Sequence, residues 1–316
     1  MPSVTAPAHR VLVAGWFALA EGEASAGALL ARDVVARWLR DAGVDVEVAA
    51  AAELGDGVDL EEVDPSRYSH LLFVCGPLTG RPVARLLDRF AHCRALACGV
   101  SLVDAALAAR FDVVLPRDGA GRRGRADLAF GARLARVPVV GVVGSSGAPS
   151  TPGRRTRAIE DLFHRHVLAR IDVNTRLDPL GTQRVSAQVT SVLARCDVVV
   201  TTRLDGLVLA LQAGVPALGL DPFGGRAKVS AQAQAIGWPA WLSAEDTLAA
   251  SLVDEAFCWC LSPAAERLAL RTRERARTEV GALGERVLAA LDGDGDSARR
   301  ERLLVEREMS LDHPGG

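Results

Sequence analysis

Apolar positions recur along the chain with two periods. Short apolar runs mark strands, and longer stretches with apolar residues three and four apart mark helices. Val11-Leu12-Val13-Ala14-Gly15 reads as a first strand. Ala24 to Ala42 reads as a helix with Leu29, Leu30, Val34 and Leu39 on one face. Val44 to Val48 and Leu71 to Cys75 follow as strands, then Gly76-Pro77 and a helix through Phe90. Ala95 to Val103 and Val113 to Leu115 add two more apolar runs. The Gly- and Arg-rich stretch Arg117 to Arg125 (RDGAGRRGR) breaks the pattern and reads as a loop, either solvated or in contact with an anion.

A second alternation starts at Val137 (VPVVGVVG). Helical spacing covers Arg154 to Arg170, Val185 to Arg195, Leu207 to Ala213 and Val229 to Ile236. The intervening strands are Ile171 to Val173, Asp197 to Val200 and Pro216 to Leu220. Ser262 to Leu291 predicts a long charged helix crossing back over the first domain. Strands alternating with helices specify parallel sheets covered on both faces. The expected fold is therefore α/β, with two Rossmann-like open parallel-sheet domains facing a cleft. The domains are residues 1–140 and 141–260, followed by the helix over 261–292 and a polar tail, 293–316.

Composition narrows the function classes. With 316 residues the chain exceeds the usual size of one core. Hydrophobic residues make up 49% and charged residues 24%, an ordinary balance for a globular enzyme. A formal net charge of -2 and 4% aromatics leave no basic, ring-lined face for nucleic acid. No apolar stretch is long enough to span a bilayer and no signal pattern opens the chain, so a cytoplasmic protein is expected. The six cysteines lack metal spacing and read as reduced core residues. No metal site is expected. His164 and His166 are two apart and point to different sides of a helix. Asp292-Gly-Asp294-Gly-Asp296 fails the calcium-loop pattern at Ser297 and Leu303. Gly144-Ser145-Ser146-Gly147 is not a nucleophile elbow.

Ligands of open α/β sheets bind outside the carboxyl ends of the strands. Thr201, Thr202, Arg203 and Asp205 lie at such an end. Arg203 suits a phosphate or carboxylate, which its planar fork grips with two hydrogen bonds. Its alternative role is a salt bridge to Asp205 or to the first domain. The stretch Asp221 to Ser230 (DPFGGRAKVS) also lies between a strand and a helix. Gly224 and Gly225 permit close approach to an anion, Arg226 and Lys228 add charge, and Ser230 caps the helix or bonds a ligand. Lys228 is the only lysine of the chain. Arg176, in IDVNTRLDP, is a further anion contact or a structural ion pair beside Asp172 and Asp178. In the first domain the strand–loop–helix GWFALAEGEASAG is neither GxGxxG nor a P-loop. There, Glu21 and Glu23 either meet a sugar hydroxyl or act as base, or they compensate a helix dipole.

The stretch DVVVTTRLDGLVLALQAGVPALGLDPFGGRAKVSAQAQAIGWP, Asp197 to Pro239, resembles the C-terminal core of the polysaccharide pyruvyl transferase family. GWFALAEGEASAGALLARDVVARWLRDAG and LLFVCGP are similar to its actinobacterial members, and the likeness extends over roughly residues 10 to 245. The resemblance implies a GT-B-like fold. It also implies transfer of a pyruvyl or enolpyruvyl group from phosphoenolpyruvate to a sugar hydroxyl, with release of phosphate. Phosphoenolpyruvate is then a co-substrate and no cofactor is needed. The partners are a small-molecule donor and a carbohydrate-like acceptor.

The family's Arg-Leu-His matches Arg203 and Leu204, but Asp205 stands at the histidine position. A free aspartate, pKa about 3.9, is ionised at neutral pH where histidine titrates near 6.5. One carboxylate ~4 Å from one donor charge opposes binding by up to about 4 kcal/mol at an effective dielectric of 20. That approaches a thousandfold in affinity. Three outcomes follow: a changed donor pose, Asp205 as general base for the acceptor, or loss of the family reaction. In the expected assignment Asp205, as base on the attacking hydroxyl, Arg203 and Glu21 are catalytic. Arg203, Arg176, Thr202, Gly224, Gly225, Arg226, Lys228 and Ser230 bind the donor, and Glu21 and Glu23 face the acceptor. The alternatives are a GT-B-like glycosyltransferase using a nucleotide sugar and a non-catalytic paralogue that binds a partner.

Overall fold

The computed structural model describes residues 9–20, 24–51, 55–119, 124–144, 154–175, 182–221 and 228–291. The chain divides into two compact units, Met1–Ala135 and Arg136–Gly316. Each is a Rossmann-like open sheet with all its strands parallel.

In the first unit the elements are β1 (Arg10–Ala14), α1 (Ala26–Asp41), β2 (Asp45–Ala50), β3 (Val58–Asp59), β4 (His70–Val74), β5 (Pro77–Leu78), α2 (Gly80–Arg89), β6 (Arg94–Leu102), α3 (Ala105–Ala108) and β7 (Val113–Gly119). The strand order is β3-β2-β1-β4-β6, with β5 and β7 both paired to β6. Register is set by Leu12 against Glu47 on one side and Leu71 on the other. Leu12, Val13, Phe17, Leu71, Phe73 and Phe90 are buried in its core. Burying each such side chain stabilises by about 1.5–3 kcal/mol. Ser25 caps α1 by accepting the Ala28 N–H, so the helix starts two residues later than its spacing implied.

The second unit contains β8 (Val139–Val143), α4 (Arg154–Arg165), β9 (Ala169–Asp172), α5 (Thr182–Leu193), β10 (Val198–Thr201), α6 (Leu204–Gln212), β11 (Ala217–Leu220), α7 (Lys228–Ala235), β12 (Trp241–Leu242), α8 (Ala250–Cys260) and α9 (Pro263–Leu291). The order is β12-β11-β10-β8-β9. Strands β10 and β11 are buried along their whole length, as a central parallel strand covered on both faces requires. Their apolar runs therefore show no alternation. Trp238 fills the core, with its indole N–H donating to the Ala217 carbonyl at 2.7 Å and its ring edge-on to Trp259.

Several boundaries differ from the sequence pattern. The helix over 154–170 ends at Arg165, and Ala169 and Arg170 belong to β9, where they pair with Val139 and Val140 of β8. Helix α8, which the pattern left unassigned, packs Val253, Phe257 and Cys260 into the core. Strand β7 extends to Gly119, into the stretch read as a loop, because it keeps pairing with β6 through Leu102. Helix α9 covers the long charged helix expected over Ser262 to Leu291. Its buried residues are Ala265, Ala269 and Thr272, and Arg275 donates to the carbonyl of Ile236 in its own unit. Most consequential for the site, α6 begins at Leu204 and not at Leu207, which draws Asp205 into its first turn.

Candidate functional site at the carboxyl ends of the second sheet

From β8 the chain runs first to β9 on one side, and later to β10, β11 and β12 on the other. The order reverses between β8 and β10, and such a switch point is where open α/β sheets bind ligands. Arg203 stands two residues past the end of β10 and occupies the N-cap position of α6.

The local turn is built by Thr201. Its buried Oγ1 accepts the Arg203 N–H at 3.0 Å and lies 3.0 Å from the carbonyls of both Val143 and Arg203, one of which takes its proton. The Thr202 N–H donates to Val143 at 3.1 Å. These bonds lock the end of β10 to the end of β8. Gly206 completes the fit, because a Cβ there would collide with the Thr201 side chain and sit 2.9 Å from Cβ of Val143. The first turn of α6 can therefore lie directly on the strand ends.

Arg203 projects from this turn and meets Asp205 side-on. Its Nε donates to Asp205 Oδ1 at 2.9 Å and its Nη2 to Oδ2 at 2.9 Å. Nε also lies 3.0 Å from the hydroxyl of Thr175, just beyond β9. The ion pair is half-buried. Burial alone would raise the Asp205 carboxyl, but hydrogen bonds from Arg203 and Thr175 outweigh it and hold the pKa below the usual carboxylate range. Asp205 also stands in the first turn of α6, where the helix dipole favours a negative charge. The pairing uses the Nε/Nη2 edge of the guanidinium. Among the described residues its Nη1 has no hydrogen-bond partner, so the Nη1/Nη2 edge keeps donors for a planar anion.

On the neighbouring strand, Asp221 follows β11 and is 5% exposed. Its Oδ1 accepts the buried backbone N–H of Ser230 in the first turn of α7, at 3.2 Å. A carboxylate of the chain itself thus occupies one of the donors at the amino end of α7. Ser230 is held by this bond, and Lys228 opens the same helix exposed, with no ion pair among the described residues.

The structure thus brings Arg203, Asp205 and Thr202 together at one switch point, with Lys228 and Ser230 one strand away. Glu21, Glu23, Arg176, Asp178, Gly224, Gly225 and Arg226 lie outside the described residues. Thr175, Asp221 and Gly206 were missed by sequence reasoning. The first two share one signal, a polar residue within three positions of a strand's end.

Other charged clusters are internally paired. Arg117, from the Gly- and Arg-rich stretch, binds Asp127 at 2.6 Å, Asp118 at 2.7 Å and the hydroxyl of Ser101 at 2.9 Å. His166 and Arg165 both grip Asp254, tying α4 to α8. Among the described residues no group of three or more His, Cys, Asp or Glu side chains is placed to hold a metal. All six cysteines are free thiols. No helix of the described residues is long and apolar enough to cross a membrane.

No family model matches the chain, and no curated protein does. Solved structures that align with it include the spinosyn forosaminyltransferase SpnP, 16% identical over 85% of this chain and 95% of that one, with a TM-score of 0.34. The calicheamicin glycosyltransferase CalG4 is 15% identical over 88% and 98%, at 0.32. The ADP-heptose LPS heptosyltransferase II of E. coli is 12% identical over 80% and 98%, at 0.24. At those scores the likeness carries no argument, and the fold assignment stands on the chain's own two sheets.

Proposed function

We propose that the chain is a group transferase that binds an anionic donor at the Arg203 switch point. The specific reaction is pyruvyl transfer from phosphoenolpyruvate to a carbohydrate-like acceptor. One observation carries this reading: Arg203 is fixed at the carboxyl end of β10 by Asp205 and Thr175 along one edge, with donors left on its other edge. The resemblance of Asp197 to Pro239 to pyruvyl transferases supplies the donor class.

In this reading Arg203 grips the donor's carboxylate or phosphate end-on, and Lys228 adds charge beside it. Asp205 orients Arg203 and does not take the acceptor's proton. A carboxylate whose pKa is pulled below its usual range is a weak base. A different group then serves as the acceptor base. The reaction joins an acceptor oxygen to C2 of phosphoenolpyruvate while C3 gains a proton. Phosphate then leaves, and for a diol the second oxygen closes the ketal. The two hydroxyl protons end on the new methyl group and on phosphate.

A nucleotide-sugar glycosyltransferase is the second reading. The amino end of α7 would seat its diphosphate, beside the one N–H there that Asp221 already takes. Calorimetric titration with phosphoenolpyruvate and with UDP- and dTDP-sugars separates the two. Binding of phosphoenolpyruvate alone is the expected result. Binding of nucleotide sugars alone transfers the site to glycosyl chemistry, and binding of neither leaves the non-catalytic paralogue.

A further inference from the structure

Helix α9 has two halves of different character. The first buries Ala265, Ala269 and Thr272, and its Leu270 and Arg273 lie against Gly214 at the end of α6. From Arg277 to Leu291 every residue is exposed. That half is nevertheless rich in large apolar side chains. Val280, Leu283, Val287, Leu288 and Leu291 are between 52% and 77% exposed. Their spacing of three, four, one and three residues places them along one stripe of the helix.

Five such side chains leave on the order of 500 Å² of apolar surface in water. That is the upper end of what a monomer carries in a single patch. The stripe also contains Gly284, with Gly281 beside it, and around both the space a Cβ would take is open. Glycine is the least favourable helix residue after proline. An unsupported helical extension with two of them needs packing from outside to persist, and Gly284 at the edge of the stripe lets a partner backbone come close.

We infer that this stripe is a self-association surface, and that two copies of the chain pair along the distal halves of α9. Two such faces remove at most about 1,000 Å² from water, the lower bound of a specific interface. A formal net charge of -2 puts little repulsion between copies. The stripe suits itself in register. Val280, Leu283 and Val287 follow a three-four heptad alternation, and in a parallel pair the flanking Glu279 and Arg286 face Gly284 and Leu291 of the other copy, so no like charges are opposed.

Sedimentation equilibrium of the full chain from 1 to 100 μM tests this, comparing wild type with Leu283→Arg/Val287→Arg. Both positions are exposed, so the substitutions leave the cores intact, which circular dichroism checks. The expected result is a species of twice the 33.3 kDa chain mass in the wild type. The double variant should weaken its association on the order of a hundredfold. A wild type that stays monomeric at 100 μM, or a dimer indifferent to the double variant, overturns the inference. Hydrogen exchange over residues 279–291 tests the same surface without substitution. Protection that rises with protein concentration supports it, and protection independent of concentration contradicts it.

Discussion

Two clusters in this protein use the same three kinds of group, an arginine, a carboxylate and a hydroxyl, one at the amino ends of the first sheet's strands and one at the carboxyl ends of the second's. At the amino ends of β1, β2 and β4, Arg10 donates to Glu47 at 2.8 Å, and the hydroxyl of Tyr68 donates to the other oxygen of the same carboxylate. Arg10 also lies over the Tyr68 ring, 5.6 Å from its centroid, and Arg67 approaches Glu47 at 3.5 Å. At the carboxyl ends of β9 and β10, Arg203 pairs with Asp205 and Thr175. The first cluster joins three strands and spends its carboxylate on partners from β1 and the β4 approach. The second holds one arginine by one edge and leaves the other. Similar groups therefore close on one another where the first sheet begins and leave an arginine edge open where the second ends, the end at which open α/β sheets take ligands.

Substitutions that separate these roles sharpen the contrast. The largest expected effect is at Gly206, the support beneath the turn that carries Arg203. Gly206→Val drives side-chain atoms into Thr201 and Val143, and overpacking of this kind destabilises by about 1–3 kcal/mol. Urea unfolding should show the loss as a lower midpoint. An unchanged midpoint would mean that the first turn of α6 is not seated on the strand ends as described.

Next is Asp205→Asn. It retains an oxygen to accept from Arg203 and removes a negative charge from beside the donor. Relief of that repulsion, partly screened by solvent, should raise phosphoenolpyruvate affinity about tenfold. Asp205→Ala leaves Arg203 unheld, and its turnover should fall even where affinity does not. Equal kinetics in the two variants would refute an orienting role. The pH dependence has a definite sign. The folded-state pKa of Asp205 is depressed, so its contribution to stability is present above the unfolded value near 3.9. It is lost as pH falls through the folded value, and donor binding between pH 5 and 8 should show no step from this group.

Smaller still is Tyr68→Phe, which deletes one bond to Glu47 while Arg10 remains. The expected cost is about 1 kcal/mol in stability, with donor binding untouched. Tyr68 is the only tyrosine of the chain, so its ionisation can be followed at 295 nm without interference from another. Burial first, and then the hydrogen bond to Glu47, push its pKa up to about 12. Stability from the neutral phenol is present below the unfolded value near 10 and is lost as pH rises through about 12. The carboxylate side has the opposite window. The Tyr68 hydroxyl, and Arg10 after it, lower Glu47 against its burial, and that contribution disappears as pH falls through the depressed value. Titration of Tyr68 near 10 in the native protein would show that its bond to Glu47 is open.

The architecture is legible in the sequence because the central strands β10 and β11 are buried on both faces and read as unbroken apolar runs. Less is legible at element ends. The apolar run points to a start of α6 three residues late because Asp205 and Gly206 interrupt it, whereas the Thr201 hydroxyl and the close approach at Gly206 fix the turn earlier and Leu204 keeps helical spacing with Leu207 and Leu211. The pairing of Arg203 with Asp205 was legible as one of two roles, since both residues are adjacent on one turn. Thr175 was not legible, because it arrives from another strand 28 residues away. Asp221 was hidden for a similar reason, since its partner Ser230 lies across a glycine-containing segment. Contacts that depend on which strands become neighbours cannot be read from local pattern.

The central claim is that the outer edge of Arg203 receives the donor while the Arg10 cluster only holds the sheet. The most direct test is calorimetric titration of phosphoenolpyruvate into Arg203→Ala and Tyr68→Phe side by side. Loss of a charged hydrogen-bonding partner should weaken binding by roughly 2–3 kcal/mol, thirty- to a hundredfold or more, in Arg203→Ala. Tyr68→Phe should bind as the wild type does. Wild-type affinity in Arg203→Ala, or an equal loss in both variants, would contradict the account.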